Sequence, residues 1–208
     1  IDIDFEAKLA ETKPYFSLFL KGLYQRMGKK WGYCTIESRT PLDSRYETIP
    51  KDIHYANDFV EINKYCDRVQ IMAYDQGTID IKLNKEANST PYVPVADARW
   101  VEKVMKHAAK TISKKKLVLG IPTYGYEYTV TPLVEQGFRY DRQWAFNPTY
   151  ATNLAMSLGL VPTRNIAGEM SFTYIPATTT IQSAATAAGP GFVPASQTYN
   201  IVWWSDTI

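Results

Sequence analysis

Apolar and acidic residues alternate strictly over the first six positions of the chain, Ile1-Asp2-Ile3-Asp4-Phe5-Glu6. A period of two predicts a β-strand with one acidic face. Apolar runs predict three further strands, at 33–36, 68–74 and 116–121. Apolar residues at helical spacing predict intervening helices around 16–27, 60–62 and 100–112. Strands that alternate with helices in this way are typical of a parallel sheet in an α/β fold.

The pattern changes after Tyr124, where we expect a small α+β unit. Short antiparallel strands are predicted at 126–130 and 138–140, a helix at 150–158, and further strands at 170–175 and 199–204. The segment 177–196 is rich in Ala, Thr, Gly and Pro, so it is predicted to be a loop. The sequence therefore predicts two parts, 1–123 and 124–208.

Polar and aromatic residues follow the predicted parallel strands at their carboxyl ends. They are Glu6, Glu37, Tyr74, Asp75 and Tyr124. In barrels built of parallel strands and helices, the active site forms at that face. Only four parallel strands are visible, whereas such a barrel needs eight. We therefore expect this chain to be part of a larger barrel, without its upstream strands and its last strand.

The acidic strand is the strongest candidate for chemistry. In a strand, Asp2, Asp4 and Glu6 would lie on one face, about 6 to 7 Å apart. Like-charge repulsion and burial inside a barrel should keep at least one of them protonated near neutral pH, as a general acid requires. Glu6 is nearest the carboxyl end and is the natural proton donor. Two other interpretations stay open, a Mg²⁺ or Ca²⁺ site and an exposed edge strand with a polar face.

Composition bears on the partners, membrane spans and metal sites that the chain could have. The formal net charge is only +2, so no polyanion such as nucleic acid is indicated as a partner. No apolar run reaches the roughly 18 to 20 residues of a membrane span. With two His and two Cys, a zinc site is improbable, and no cofactor is expected. We expect Cys34 and Cys66 to be buried free thiols, with a single bridge as the alternative.

Three motifs make the chain resemble glycoside hydrolase family 18, the chitinase-like TIM barrels. Ile1 to Glu6 matches the last six positions of the D-G-x-D-x-D-x-E motif of that family's fourth strand. Met72-Ala73-Tyr74-Asp75 matches M-x-Y-D at the end of strand six, and Gly120 to Gly125 matches G-x-P-x-Y-G after strand seven. The resemblance implies a (β/α)8 barrel, of which strands four to seven are present, with an α+β insertion after strand seven. In detail the chain looks most like bacterial spore-germination and cell-wall members.

The resemblance also implies a retaining mechanism in which the substrate's own 2-acetamido oxygen attacks the anomeric carbon. Glu6 would be the acid and then the base, Asp4 would orient the acetamido group, and Asp2 would share a proton with Asp4. Tyr74 would donate a hydrogen bond to the acetamido oxygen. The remaining candidates would contact the sugar, and they are Met72, Asp75, Tyr124 and Tyr126.

The implied substrate is a β-1,4-linked polysaccharide that contains N-acetylglucosamine. Chitin, peptidoglycan and the core of an N-glycan all fit, because each offers the same acetamido group. The main alternative function is a non-catalytic, carbohydrate-binding relative. Such proteins typically lose the acid, whereas this chain keeps Glu6, Asp4 and Tyr74. A monomer that is extracellular or associated with a cell wall is expected.

Overall fold

The computed structural model describes residues 1–133, 137–176 and 197–206. The predicted loop at 177–196 lies outside the described residues. The chain forms two compact units. The first contains Ile1–Tyr74, Ile79–Ile81 and Arg99–Ile121, and the second contains Asp75–Thr78, Lys82–Ala98 and the described residues from Pro122 onward. The predicted division into 1–123 and 124–208 stays a prediction.

The described strands fall into one parallel and one antiparallel set. In chain order they are β1 (Asp2–Asp4), β2 (Tyr33–Glu37), β3 (Arg68–Met72), β4 (Leu117–Gly120), β5 (Gly125–Leu133), β6 (Gly137–Phe146), β7 (Thr163–Arg164), β8 (Met170–Tyr174) and β9 (Tyr199–Trp204). The helices are a 3-10 turn (Ala10–Thr12), α1 (Lys13–Met27), α2 (Leu42–Arg45), α3 (Phe59–Tyr65), α4 (Ile81–Glu86), α5 (Ala98–Ala108) and α6 (Pro148–Ser157).

The first unit is built on a parallel sheet in the order β1-β2-β3-β4, which confirms the predicted α/β arrangement. In the sheet register, Asp4 pairs with Thr35, Glu37 pairs with Met72, and Met72 pairs with Gly120. The carboxyl ends of the four strands therefore meet at one edge, where the sequence predicts the active site.

Apolar side chains on the sheet and on its helices form the core of this unit. Ile36, Val69 and Ile71 are fully buried on β2 and β3. The apolar run at 116–121 is typical of a strand buried on both faces, but Leu119 and Ile121 are exposed. Helix α5 buries Trp100, whose indole Nε1–H donates to Thr40 Oγ1 over 2.8 Å. The indole thus buries a large apolar area without leaving its polar group unpaired.

The two cysteines correct one expectation. Cys34 on β2 and Cys66 at the end of α3 are both buried, as predicted, but they form a disulfide instead of two free thiols. Their Cα atoms are 6.0 Å apart, a separation that a disulfide spans. The bond ties the second strand to the helix that precedes the third strand.

The first strand is shorter than its alternation predicts. Strand β1 ends at Asp4, so Phe5 and Glu6 lie beyond the last paired residue. Ile3 is buried between exposed Asp2 and Asp4, which confirms the alternation within the strand itself. Strand β3 likewise ends at Met72, and Tyr74 follows in a loop instead of closing the strand.

The second unit is an antiparallel sheet in the order β6-β5-β9-β8-β7, as the change of pattern after Tyr124 predicts. Helix α6 packs Ala151 and Ala155 into a cluster with Phe172, Val202 and Trp204. No helix in the described parts of the chain combines the length and apolar character needed to cross a membrane.

Candidate active site

Two of the three predicted acids, Asp2 and Asp4, lie on strand β1, and Glu6 follows the end of that strand. Both carboxylate oxygens of Asp2 accept from the hydroxyl of Thr35 on β2, at 3.0 and 3.2 Å. Thr35 is almost fully buried, so its hydroxyl fixes the Asp2 carboxylate against the sheet. Asp4 is the next residue on the same face, and Glu6 follows just past the end of the strand. Thr35 lies in an apolar strand run, and no local sequence pattern marks it as a site residue.

The burial of these acids was expected inside a complete barrel, and it stays a prediction. Asp2, Asp4 and Glu6 are all exposed to solvent. Glu6 also lies beyond the paired residues, so strand geometry does not fix its position relative to Asp4. The described residues contain no group of three or more His, Cys, Asp or Glu side chains arranged to hold a metal ion.

Met72 and Tyr74 belong to the same edge of the parallel sheet, two strands from β1. Neighbouring strands are about 4.8 Å apart, so β1 and β3 are separated by about 10 Å. Met72 is buried, as an apolar floor under a sugar would require, whereas Tyr74 is half-buried. Strand β2 therefore lies between the strand that leads to Glu6 and the strand that leads to Tyr74.

Gly120 explains why the third motif begins with a glycine. A Cβ atom at this position would lie 2.9 Å from the carbonyl oxygen of Ile71 and 3.3 Å from a ring carbon of Tyr74. The first distance is shorter than Cβ contacts with a backbone atom normally allow. The missing side chain therefore makes room for β3 and for the Tyr74 ring.

Glu37, which the sequence places only at a strand end, accepts hydrogen bonds on both carboxylate oxygens. Its Oε1 accepts from the backbone N–H of Ala7 at 3.1 Å, and its Oε2 accepts from Asn57 Nδ2 at 2.6 Å. Lys8 Nζ is 3.5 Å from Oε2. Burial acts to raise the pKa of Glu37, but the hydrogen bonds and the Lys8 charge outweigh it and lower the pKa below its usual value.

In the second unit, three of the predicted sugar-contacting residues lie together. Asp75 adopts a left-handed backbone conformation with φ 57°. Its Oδ1 accepts hydrogen bonds from the hydroxyls of Tyr124 at 2.5 Å and of Tyr126 at 2.6 Å. Burial and the Asp75 carboxylate raise the pKa of Tyr124, and the same causes raise the pKa of Tyr126 to about 12. Both phenols are therefore protonated donors at neutral pH.

The second unit also contains a buried carboxylate that the sequence analysis missed. Glu169 accepts hydrogen bonds from the backbone N–H groups of Val95 at 2.8 Å and Ala96 at 3.0 Å, and from Trp203 Nε1 at 2.6 Å. Burial raises the pKa of Glu169 and outweighs these hydrogen bonds, which act to lower it. These contacts join the segment before α5 to strand β9.

Comparison with known proteins identifies the class to which this fold and these motifs belong. The family model described as glycosyl hydrolases family 18 matches residues 1–204. The chain therefore belongs to glycosyl hydrolase family 18.

Individual relatives support that assignment. An uncharacterized glycosylase, YvbX, of Bacillus subtilis (strain 168) is 30% identical over 132 residues, which are 62% of this chain and 34% of YvbX. The chain thus spans about a third of the length of the curated relative that it matches.

Solved structures share the fold. The spore cortex-lytic enzyme SleL of Bacillus megaterium QM B1551 superposes with a TM-score of 0.65 at 21% identity, over 99% of this chain and 39% of SleL. A family 18 chitinase from Cycas revoluta in complex with (GlcNAc)3 superposes with a TM-score of 0.52 at 13% identity, over 99% of this chain and 55% of the chitinase.

Proposed function

We propose that the protein is a glycoside hydrolase that cleaves β-1,4-linked, N-acetylglucosamine-containing polysaccharide by a retaining, substrate-assisted mechanism. The observation that carries the proposal is the acidic sequence from Asp2 to Glu6, which begins on β1 and ends at the carboxyl edge of a parallel sheet in a family 18 chain. In this proposal β1 to β4 correspond to strands four to seven of a (β/α)8 barrel, and the antiparallel unit is the insertion that follows strand seven.

Glu6 acts as the acid and then as the base. The bond between the anomeric carbon and the bridging oxygen breaks, and that oxygen takes the Glu6 proton. At the same time the 2-acetamido oxygen forms a bond to the anomeric carbon, giving an oxazolinium ion. Water then attacks the same carbon, the bond to the acetamido oxygen breaks, and Glu6 recovers a proton from the water. Two inversions give net retention.

The other acids support the charge that develops on the acetamido group. Asp4 orients the group and stabilises its positive charge, while Asp2 shares a proton with Asp4. The hydroxyl of Thr35 supports this assignment, because it holds the Asp2 carboxylate in place over 3.0 and 3.2 Å. A pre-positioned carboxylate is worth more to the transition state than one that must be oriented during the reaction.

The remaining candidates position the sugar. Tyr74 donates to the acetamido oxygen, and Met72 supplies an apolar surface under the ring. Asp75 binds polar groups of the substrate, and Tyr124 and Tyr126 contact it. The protonated state of both phenols supports a donor role, because each hydroxyl carries a hydrogen that it can present to Asp75 or to a sugar oxygen.

Chitin and peptidoglycan are the substrates that the relatives favour. One structural relative is named a spore cortex-lytic enzyme, and another is a chitinase solved with an N-acetylglucosamine trimer. The buried disulfide between Cys34 and Cys66 supports the proposed extracellular or cell-wall location, because such bonds persist in oxidising compartments.

The test uses the full-length protein and the fluorogenic substrate 4-methylumbelliferyl chitobioside. Loss of a general acid costs about 10²- to 10⁴-fold in rate, so Glu6→Gln should lower kcat by that factor. Glu102→Gln, on an exposed glutamate that pairs with Lys106 on α5, is the matched control and should retain activity. Sugar binding without turnover by the wild type would favour the carbohydrate-binding alternative and refute the enzyme.

A product analysis then separates the substrates. Purified chitin, peptidoglycan and an N-glycosylated protein are each incubated with the wild type, and the released sugars are identified by mass spectrometry. The proposal expects cleavage of chitin or peptidoglycan. Release of glycans from the glycoprotein alone would assign the third substrate class instead.

A further inference from the structure

The backbone around Glu6 is not held by the sheet. Strand β1 ends at Asp4, and Glu6 lies two residues further along the chain. The next residue, Ala7, has a φ of 51°, a left-handed conformation that costs a residue with a side chain about 1 kcal/mol. Such a conformation persists only where the surrounding structure enforces it. Something other than strand pairing must therefore fix the direction in which Glu6 points.

Glu37 is linked to the peptide groups on both sides of Glu6, directly on one side and through Lys8 on the other. On the carboxyl side, the N–H of Ala7 donates to Glu37 Oε1 at 3.1 Å. On the amino side, Lys8 Nζ donates to the carbonyl oxygen of Phe5, and the same ammonium lies 3.5 Å from Glu37 Oε2. The two peptide groups that flank Glu6 are thus tied to one carboxylate, one directly and one through Lys8.

The Glu37 carboxylate compensates the positive charge of Lys8, which has little access to water. Its side chain is only 10% exposed, and its ammonium lies 4.9 Å from the centre of the Phe16 ring. An ammonium with so little access to water is costly unless a negative charge compensates it. The pKa of Glu37 is held below its usual value despite burial, so Glu37 stays ionised at neutral pH and supplies that charge.

Glu37 is also held by a residue outside the Glu6 loop. Asn57 Nδ2 donates to Glu37 Oε2 at 2.6 Å, and the backbone carbonyl oxygen of Asn57 accepts from Arg39 Nη2 at 2.8 Å. The Arg39 guanidinium lies between two rings, 3.7 Å from the centre of Tyr55 and 3.9 Å from that of Phe59. A carboxylate in such a network occupies one orientation, which is what a positioning group requires.

We infer that Glu37 is a positioning residue, which holds the peptide groups on both sides of Glu6 and thereby aims the general acid at the bridging oxygen. The inference rests on the proposed role of Glu6. Glu37 itself donates no proton to the sugar, and it acts through Ala7 and Lys8.

The experiment compares Glu37→Ala and Glu37→Gln in the full-length protein. Glu37→Ala removes both contacts and should lower kcat for an N-acetylglucosamine tetramer about 10- to 100-fold with KM nearly unchanged, because small displacements of a catalytic group cost about that much. Glu37→Gln keeps an oxygen that can accept from Ala7 N–H but loses the charge that faces Lys8, so its kcat should be intermediate.

A second substrate separates positioning from general damage to the fold. Dinitrophenolate leaves without being protonated, so hydrolysis of dinitrophenyl chitobioside does not depend on a well-aimed acid. Both Glu37 variants should therefore approach the wild-type kcat/KM on this substrate, because kcat/KM reports only the steps up to oxazolinium formation, in which Glu6 acts as the acid, while kcat/KM on the tetramer stays low. Glu61→Gln, which alters an exposed pair with Lys64 on α3, is the control and should behave as wild type on both.

Three results would overturn the inference. One is an equal fall on both substrates, as a merely structural role would give, and another is wild-type kcat for Glu37→Ala on the tetramer. The third is a Glu6→Gln variant that hydrolyses the tetramer as fast as wild type, which would also remove the proposed function. If Glu6→Gln is slow but Glu37→Ala is normal, the proposed function stands and the positioning role alone is lost.

Discussion

Loss of the bond between Cys34 and Cys66 should destabilise the parallel-sheet unit by an amount that follows from the closed loop. The two residues are 32 positions apart in the sequence. In the chain-entropy model, closing a loop of this length removes about 12 cal/mol/K from the unfolded chain, which corresponds to about 3.7 kcal/mol at 25 °C. This is a large share of the roughly 5 to 15 kcal/mol that stabilises a typical domain.

The assay is urea unfolding of the full-length protein, followed by tryptophan fluorescence, with the disulfide intact or reduced. The amino-acid sequence is identical in the two samples, so the difference between their unfolding free energies reports the effect of the disulfide alone. The midpoint for this unit should fall by roughly 1 to 4 M urea, given a typical slope of 1 to 3 kcal/mol per M. The double variant Cys34→Ala/Cys66→Ala should fall at least as far, because it also removes two buried sulfur atoms.

Two results would refute this reasoning. Peptide mapping of the non-reduced, denatured protein should recover Cys34 and Cys66 in one linked peptide pair. Alkylated free thiols at both positions would show that the bond is not formed. A reduced protein that unfolds within about 0.5 kcal/mol of the oxidised protein would show that the entropy argument does not apply here.

Two further predictions concern packing and pH. Gly120→Ala should cost about 1 to 3 kcal/mol of unfolding free energy and should lower kcat, because the new methyl group would lie 2.9 Å from Ile71 O and displace the Tyr74 ring. The control is Gly22→Ala inside α1, where the new methyl group would lie 3.3 Å from the flexible end of Arg26, and this variant should not be destabilised. Equal urea midpoints for the two variants would contradict the prediction. Because the folded pKa of Glu169 is raised above the unfolded value, its contribution to stability is present below about pH 4.5 and is lost as the pH rises through the folded pKa. The stability of wild type relative to Glu169→Gln, measured by urea unfolding from pH 4 to 8, should therefore fall with rising pH, and a difference that rises or stays constant would contradict the shift.

Periodicity located most of the regular elements because burial leaves a direct trace in the sequence. Ile36, Val69 and Ile71 belong to apolar runs that mark strands with a buried face, and the structure places these strands in the parallel sheet. The antiparallel unit was visible for the same reason, since Tyr126 to Val130 and Tyr199 to Trp204 form paired strands. The local sequence pattern is sufficient to predict a helix or a strand where the burial of each residue follows from its neighbours in the sequence.

Contacts between distant positions leave no such trace. The pattern placed Cys34 on a strand and Cys66 at a helix end, but only the fold brings their Cα atoms to 6.0 Å. Glu37 was visible at a strand end, yet its partners come from thirty residues before it and twenty after it, at Ala7 and Asn57. The end of β1 was also missed, because the alternation continues through Glu6 while pairing with β2 stops at Asp4.

The central claim is that the substrate's own acetamido oxygen is the nucleophile, with Glu6 as the acid. It is tested most directly by the hydrolysis of chitobiosides whose acetamido methyl group carries zero, one, two or three fluorine atoms. Each fluorine withdraws electrons from the acetamido oxygen, so kcat/KM of the full-length protein should fall steeply with every added fluorine. Equal rates across the four substrates would show that an enzyme group or water attacks the sugar instead.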